Sequence, residues 1–324
     1  MRLDRFSMIL YIAFPVIGSI CSIIMITHFV WIVQGSLDNG SYPEALYFMD
    51  MVRDFSFFEG SHLSYRVVIP FLVGYITNLL GITTLESIAL IFGTWNFALF
   101  LFGIGMMLKI AILEQSVNVF ELILPALLVI FMPFFLSAAF FPLIDAGAFL
   151  FFSLIVLAVF YRNLPMLFAS TMLSVWVSEV TMLALLVVPA LNYIRNDNWW
   201  QAYLPFILSS LVYLVGVVAL SPDPGNHYLF NTGLWQESIM SNFLEFDRYF
   251  FSMLIPTFGL VIPFIGYRLY KGGSQKISQI TLLLFIAYYI IFLLTAPTTT
   301  PQLMFMVLPL LVFFNFNDKT IVKD

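Results

Sequence analysis

Apolar residues come in consecutive runs of roughly 15 to 30, separated by short polar joints, and a helix needs about 20 such residues to cross about 30 Å of hydrocarbon. A transmembrane barrel would instead show alternating segments of about ten residues, and none of these runs alternates. Across 324 residues, 61% are hydrophobic and 10% charged. Soluble domains average roughly 45–50% and 25%. The expected fold class is therefore all-α, a polytopic transmembrane helical bundle forming a single integral membrane domain over 1–324. About eight full crossings are expected, with a broken short-helix hairpin and interfacial helices on the outer face.

Arg2 and Arg5 precede the first apolar run, Ser7 to Val33. That run exceeds the 7–15 residues of a signal h-region, so it reads as an uncleaved first helix with a cytoplasmic N-terminus. Residues 34–84 then form an outer loop carrying amphipathic helices. Val67 to Leu80 contains Pro70, Gly74, Thr77 and Asn78 and would rise only about 21 Å as a helix, so it is expected at the outer interface. Further crossings follow at Leu85 to Lys109, Val119 to Phe141 and Ala146 to Tyr161.

Pro165 to Ile194 is a largely apolar run interrupted near its middle by Ser178-Glu179, with Arg162 and Arg195 at its ends. A single crossing would separate the arginines and leave a carboxylate near mid-bilayer, at about 2.5–3.5 kcal/mol on the insertion scale. A hairpin that reaches outward and returns keeps both arginines together and puts Glu179 at its tip, where non-helical backbone needs protein or a watery cavity beside it. Tyr203 to Leu220, Tyr249 to Tyr267, Ile277 to Ala296 and Pro301 to Phe316 complete the crossings, with a second outer loop at 221–248 and a cytoplasmic C-terminus. Among the 13 basic residues only Arg53, Arg66 and Arg248 then fall outside, whereas most of the 18 acidic residues do. The outer face is the expected working face of a multi-pass protein of the plasma or inner membrane.

The net charge is −5 and the basic residues are scattered singly, so nucleic acid is not an expected partner. Cys21 is the sole cysteine, and His28, His62 and His227 are far apart. Neither a disulfide nor a metal cluster is indicated, and no cofactor is expected.

Candidate residues concentrate in the first outer loop. From Pro43 to Phe58 apolar and aromatic residues recur at helical spacing, while Asp50, Arg53 and Asp54 share a face. That pattern suits an interfacial helix presenting carboxylates, and equally a solvated face with an internal ion pair. Arg66 opens the short apolar piece that follows; its guanidinium could clamp a phosphate bidentately or snorkel to headgroups. Asp145 stands at the start of a crossing and reads as an N-cap or a site residue. Glu179, ionisable within an apolar run, is a site hypothesis or a hydrogen-bonded structural group. Asn39-Gly-Ser41 matches a glycosylation sequon.

Taken in order, these features resemble the GT-C superfamily of membrane glycosyltransferases, over about residues 1–220. The matching pieces are Asp38-x-x-x-Tyr42, the helix through Tyr47 and Asp50, Tyr65-Arg66-x-x-x-Pro70, Phe141-Pro142-Leu-Ile-Asp145 and Ser174-Val-Trp-Val-Ser-Glu179. The resemblance implies transfer of a sugar from a polyprenyl-phosphate donor to an acceptor hydroxyl at the extracytoplasmic face. It implies Asp38, then Asp50 or Asp54, as general base. Arg66 would take the donor phosphate, and Asp145, Glu179, Tyr42 and Tyr47 would bind sugar or acceptor. The first loop lacks an adjacent Asp-Glu or Asp-x-Asp pair, so no metal site is assigned, and an acceptor module would be absent or supplied by a partner membrane protein. Two other classes remain open: a transporter or lipid-carrier flippase with Glu179 and Asp145 at a broken helix, and a noncatalytic assembly subunit.

Overall fold

The computed structural model describes residues 43–54, 66–115 and 144–220, with positions 236, 280, 283, 284, 286 and 287. Asp38, Tyr42, Tyr65, the three histidines and Cys21 lie outside the described residues, as do the expected crossings at 7–33, 119–141, 249–267 and 301–316. So do nearly all of 221–248 and most of 277–296. Among the described residues all regular structure is helical: α1 (Pro43–Asp54), α2 (Val68–Leu79), α3 (Leu85–Gln115), α4 (Asp145–Phe160), α5 (Leu164–Ser174), α6 (Val187–Arg195) and α7 (Tyr203–Leu220). Among the described residues two stretches are long and apolar enough to cross a membrane, Leu85–Met107 within α3 and Trp200–Ala219, which contains most of α7.

Side-chain contacts fix the helix directions. Phe100 of α3 packs its ring 5.1 Å from that of Phe149 in α4, Gly103 abuts the same ring, and Lys109 Nζ lies 6.0 Å from the Tyr161 ring. Contacts that climb both helices together require α3 and α4 to be parallel. Likewise Ser209 Oγ of α7 donates to Thr171 Oγ1 of α5 at 3.0 Å, and Trp176, just past α5, packs edge-on to Tyr213 at 5.6 Å, so α5 and α7 are parallel. The turn at Tyr161–Asn163 sends α5 back along α4. Asn163 caps α5 by accepting from Met166 N at 3.0 Å, one of the orphan donors of a helix start.

Helices in hydrocarbon gain little from burying apolar area against one another and associate through close packing, often at small residues. Gly147 and Gly216 are small residues at such close approaches. A Cβ on Gly147 would stand 2.6 Å from Ile69 Cγ1 of α2 and 3.3 Å from Val177 Cγ1, and one on Gly216 would collide with the Trp176 ring. Three separate segments, the start of α2, the start of α4 and the chain after α5, therefore meet at Gly147.

The apolar run 165–194 is broken. After α5 the chain turns, Ser178 is extended (φ −164°, ψ 128°), and a 3-10 helix from Glu179 to Leu186 leads into α6. The sequence reading expects two ordinary short legs, and the 3-10 character of the returning leg is the difference. Pro189 supplies a reason: without an N–H it is tolerated in the first turn of α6 but not inside a continuous α-helix begun at Glu179. The ends of the run meet. Arg162 forms an ion pair with Asp197, and Arg195 Nη1 donates to the Phe160 carbonyl at 3.0 Å with its guanidinium over the Phe160 ring. Arg162 and Arg195 thus share one end of the bundle with Lys109. Helix α4, about 24 Å long, separates that basic end from Gly147 and Glu179.

Candidate functional site

Arg66 is placed by the way α2 begins. Val67 is the N-cap and offers no side-chain cap, and Pro70 in the first turn has no N–H to satisfy. The Val68 N–H is met from elsewhere: it donates to the Trp176 carbonyl at 3.3 Å, in the turn that precedes Glu179. A helix start and a helix break thereby satisfy each other's backbone groups. The same join carries Arg66 to Glu179, which opens the 3-10 leg.

The two side chains pair in a lopsided fork. Arg66 Nη2 donates to Glu179 Oε1 at 2.6 Å and Nε to Oε2 at 3.4 Å, with side-chain exposures of 13% and 14%. Residues 113 apart in sequence are brought together with most of their water removed. Planar fork-to-carboxylate geometry is the strong form of the ion pair, and at this burial each charge needs the other.

Asp145 lies at the same end. It is half-buried in the first turn of α4, two residues before Gly147, where Ile69 and Val177 converge. The capping expectation is corrected: the N-cap position belongs to Ile144, with no side-chain cap hydrogen bond, and Asp145 is the first helical residue. There its charge is favoured by the helix dipole rather than by capping. Arg66, Asp145 and Glu179 come from three segments and gather around one packing node.

Asp50 and Asp54 are held differently. Helix α1 buries Phe48, Met49, Met51 and Val52, so its polar face points away from the core. On that face Arg53 pairs with Asp50 at 3.1 Å and with Asp54 at 2.9 Å. The Arg53 hydrogen bond holds the Asp54 carboxyl below its ordinary range, and Asp54, by its hydrogen bond, and then Asp50, by its charge, raise the Arg53 guanidinium. The described part of the helix runs to Asp54, and residues 55–65, with the rest of the expected stretch to Phe58, lie outside the described set. Tyr47, half-buried, packs edge-on against Phe48 at 5.8 Å. Helix α1 packs on α2 and α3.

Sequence reading passes over two groups in α3. Asn96 is wholly buried, and the indole Nε1 of neighbouring Trp95 is buried with no hydrogen-bond partner. The signal available was the polar interruption Thr94-Trp95-Asn96 in an apolar helix, where each polar group has to be accounted for. Among the described residues no group of three or more His, Cys, Asp or Glu could hold a metal ion. In comparisons with known proteins the chain matches no protein-family model, no curated protein and no solved structure.

Proposed function

We propose that this protein is a multi-pass membrane glycosyltransferase of GT-C type, transferring a sugar from a polyprenyl-phosphate donor to an acceptor hydroxyl on the extracytoplasmic side. The Arg66–Glu179 pair carries the reading. A guanidinium and a carboxylate drawn from two broken or shortened apolar segments, beside the acidic start of a third helix, are the charges needed to handle a lipid phosphate and sugar hydroxyls. The lipid-facing chemistry fits as well: Ile207, Leu211, Val215 and Val218 form an exposed apolar stripe along α7, suited to hydrocarbon rather than water.

In this account the bundle's basic end faces the cytoplasm and the Arg66 end faces out. The donor approaches laterally and its phosphate takes over the guanidinium from Glu179, an exchange of one anion for another on Arg66. Glu179, released, and Asp145 accept hydrogen bonds from hydroxyls of the sugar or acceptor. The acceptor oxygen attacks the anomeric carbon, the bond from that carbon to the phosphate oxygen breaks, and polyprenyl phosphate leaves beside Arg66. The acceptor proton passes to a carboxylate within about 3 Å. Asp38 is the first choice for this base, then Asp50. Asp54 ranks last, because the Arg53 hydrogen bond that lowers its proton affinity also makes it the weaker base.

The test is transfer in proteoliposomes, with polyprenyl-phosphate-linked sugars as donors. Asp38→Asn, or failing that Asp50→Asn, is expected to abolish turnover in a folded protein. Unchanged turnover in Asp38→Asn, Asp50→Asn and Asp54→Asn alike removes the carboxylate base. The broken segment at Glu179 also suits a transporter, and that reading predicts substrate counterflow without any transfer product.

A further inference from the structure

Asn96 lies on the α3 face that meets α4. That face is marked by Phe92, Asn96, Phe100, Gly103 and Met107, all buried, at spacings of four and three that keep one side of a helix together. Phe100 touches Phe149, and the helices are parallel, so one turn back on each brings Asn96 level with Asp145. Both residues engage in polar interactions, and Asn96 has no exposure to solvent. A fully buried amide in a helix long enough to cross a membrane needs a polar partner. At this level of α4 the polar side chain is a carboxylate.

We infer that Asn96 is a positioning residue: its amide donates to the Asp145 carboxylate across the α3–α4 interface and fixes the direction in which that carboxylate faces the Arg66–Glu179 pair. This rests on the sugar-transfer reading for its catalytic consequence, though not for the contact itself. The amide NH2 is the donor here and the ionised carboxylate only accepts, so Asn96 can hold one carboxylate oxygen while the other remains directed at a hydroxyl. Leucine keeps the branched outline of the side chain and removes the hold. Asn96 itself is too deeply buried to touch substrate, which makes its effect on turnover conditional on Asp145.

The experiment uses the full-length protein with four variants, Asn96→Leu, Asn96→Asp, Asp145→Asn and the exchange Asn96→Asp/Asp145→Asn, together with Asn96→Leu/Asp145→Asn. Melting midpoints are read in detergent and sugar transfer in proteoliposomes. For the contact, Asn96→Asp faces two carboxylates and lowers the midpoint, and the exchange, which restores one amide and one carboxylate, recovers most of that loss. Additive losses in the exchange variant overturn the inference. A recovered midpoint upholds the contact even if wild-type protein shows no transfer, in which case only the enzymatic reading fails.

For the role, Asn96→Leu lowers transfer by about 10–100-fold, the size typical of groups that orient another side chain, and causes no further loss once Asp145 is already Asn. The exchange variant stays inactive despite its recovered midpoint, because its carboxylate is on the wrong helix. An equal fractional loss from Asn96→Leu in both backgrounds, or full transfer in Asn96→Leu, overturns the positioning role.

Discussion

Arg53 and Arg66 flank the same short stretch of chain, and each pairs with carboxylates. Arg53 does so with its immediate neighbours on an exposed helix face, at side-chain exposures of 43% for itself and 48% for Asp54. Arg66 reaches a carboxylate 113 residues away in a site from which most water is gone. The exposed pairs could dissolve into solvent with little consequence, since water and salt screen them and long side chains lose entropy on pairing. The buried one cannot, because removing either member strands a charge in a medium that solvates it poorly. The lesson is that similar distances carry different weight: the first pair decorates a surface, whereas the second ties two segments into one site.

That contrast can be broken by experiment, and the largest effect belongs to the buried pair. Arg66→Ala or Glu179→Ala is expected to cost about 3–5 kcal/mol of unfolding free energy. The double variant should lose distinctly less than the sum, as read by denaturant unfolding in mixed micelles. Equal, additive losses would mean that the two side chains do not depend on each other.

Next in size is the packing node beneath the pair. Gly147→Ala places a Cβ against Ile69 Cγ1, next to the branch point of that side chain and so unable to swing aside freely. Overpacking of this kind costs about 1–3 kcal/mol. Because the same node aligns Arg66 with Glu179, transfer should fall along with the melting midpoint. A midpoint unchanged by Gly147→Ala would show that α2 and α4 do not approach as described.

The exposed pairs give the smallest effect. Arg53→Ala should lower the melting midpoint only slightly at neutral pH. Asp54 is held below its ordinary value in the folded protein, so its contribution is present above about pH 4, the usual aspartate value, and fades as the pH falls through the lowered one. A variant lacking Arg53 should lose that acid-side dependence, so that its small deficit near neutrality closes as the pH falls and Asp54 is protonated in both proteins. Strong destabilisation by Arg53→Ala would erase the distinction between the two pairs.

Which parts were legible in the sequence follows from the range of the interactions. The helical character, the Arg53 pairs and the break near Glu179 are local, and each was readable from spacing, neighbouring charges or a polar pair inside an apolar run. Arg66 and Glu179 were each conspicuous as charges in apolar surroundings, but nothing in either segment names the other. Their meeting depends on the backbone bond from Val68 to Trp176 and on the absence of a side chain at Gly147. Asp145 was recognised as a helix start yet misplaced by one position relative to the cap, which the covalent neighbours Ile144 and Asp145 do not decide by themselves. Asn96 escaped notice because an uncharged amide barely alters the hydropathy of its helix, and its burial arises from the register between α3 and α4.

The central claim is that Arg66 and Glu179 meet on the side of the bundle opposite Arg162 and Arg195. Its most direct test is cross-linking of Arg66→Cys/Glu179→Cys in a Cys21→Ser background by a short bifunctional thiol reagent that spans the length of the two replaced side chains, combined with thiol labelling of intact membranes by an impermeant reagent. The account predicts efficient bifunctional cross-linking of 66 to 179, and Arg162→Cys and Arg195→Cys labelled together from the face opposite to it. Failure of 66 and 179 to cross-link, with the two positions labelled from different faces of the membrane, would contradict it.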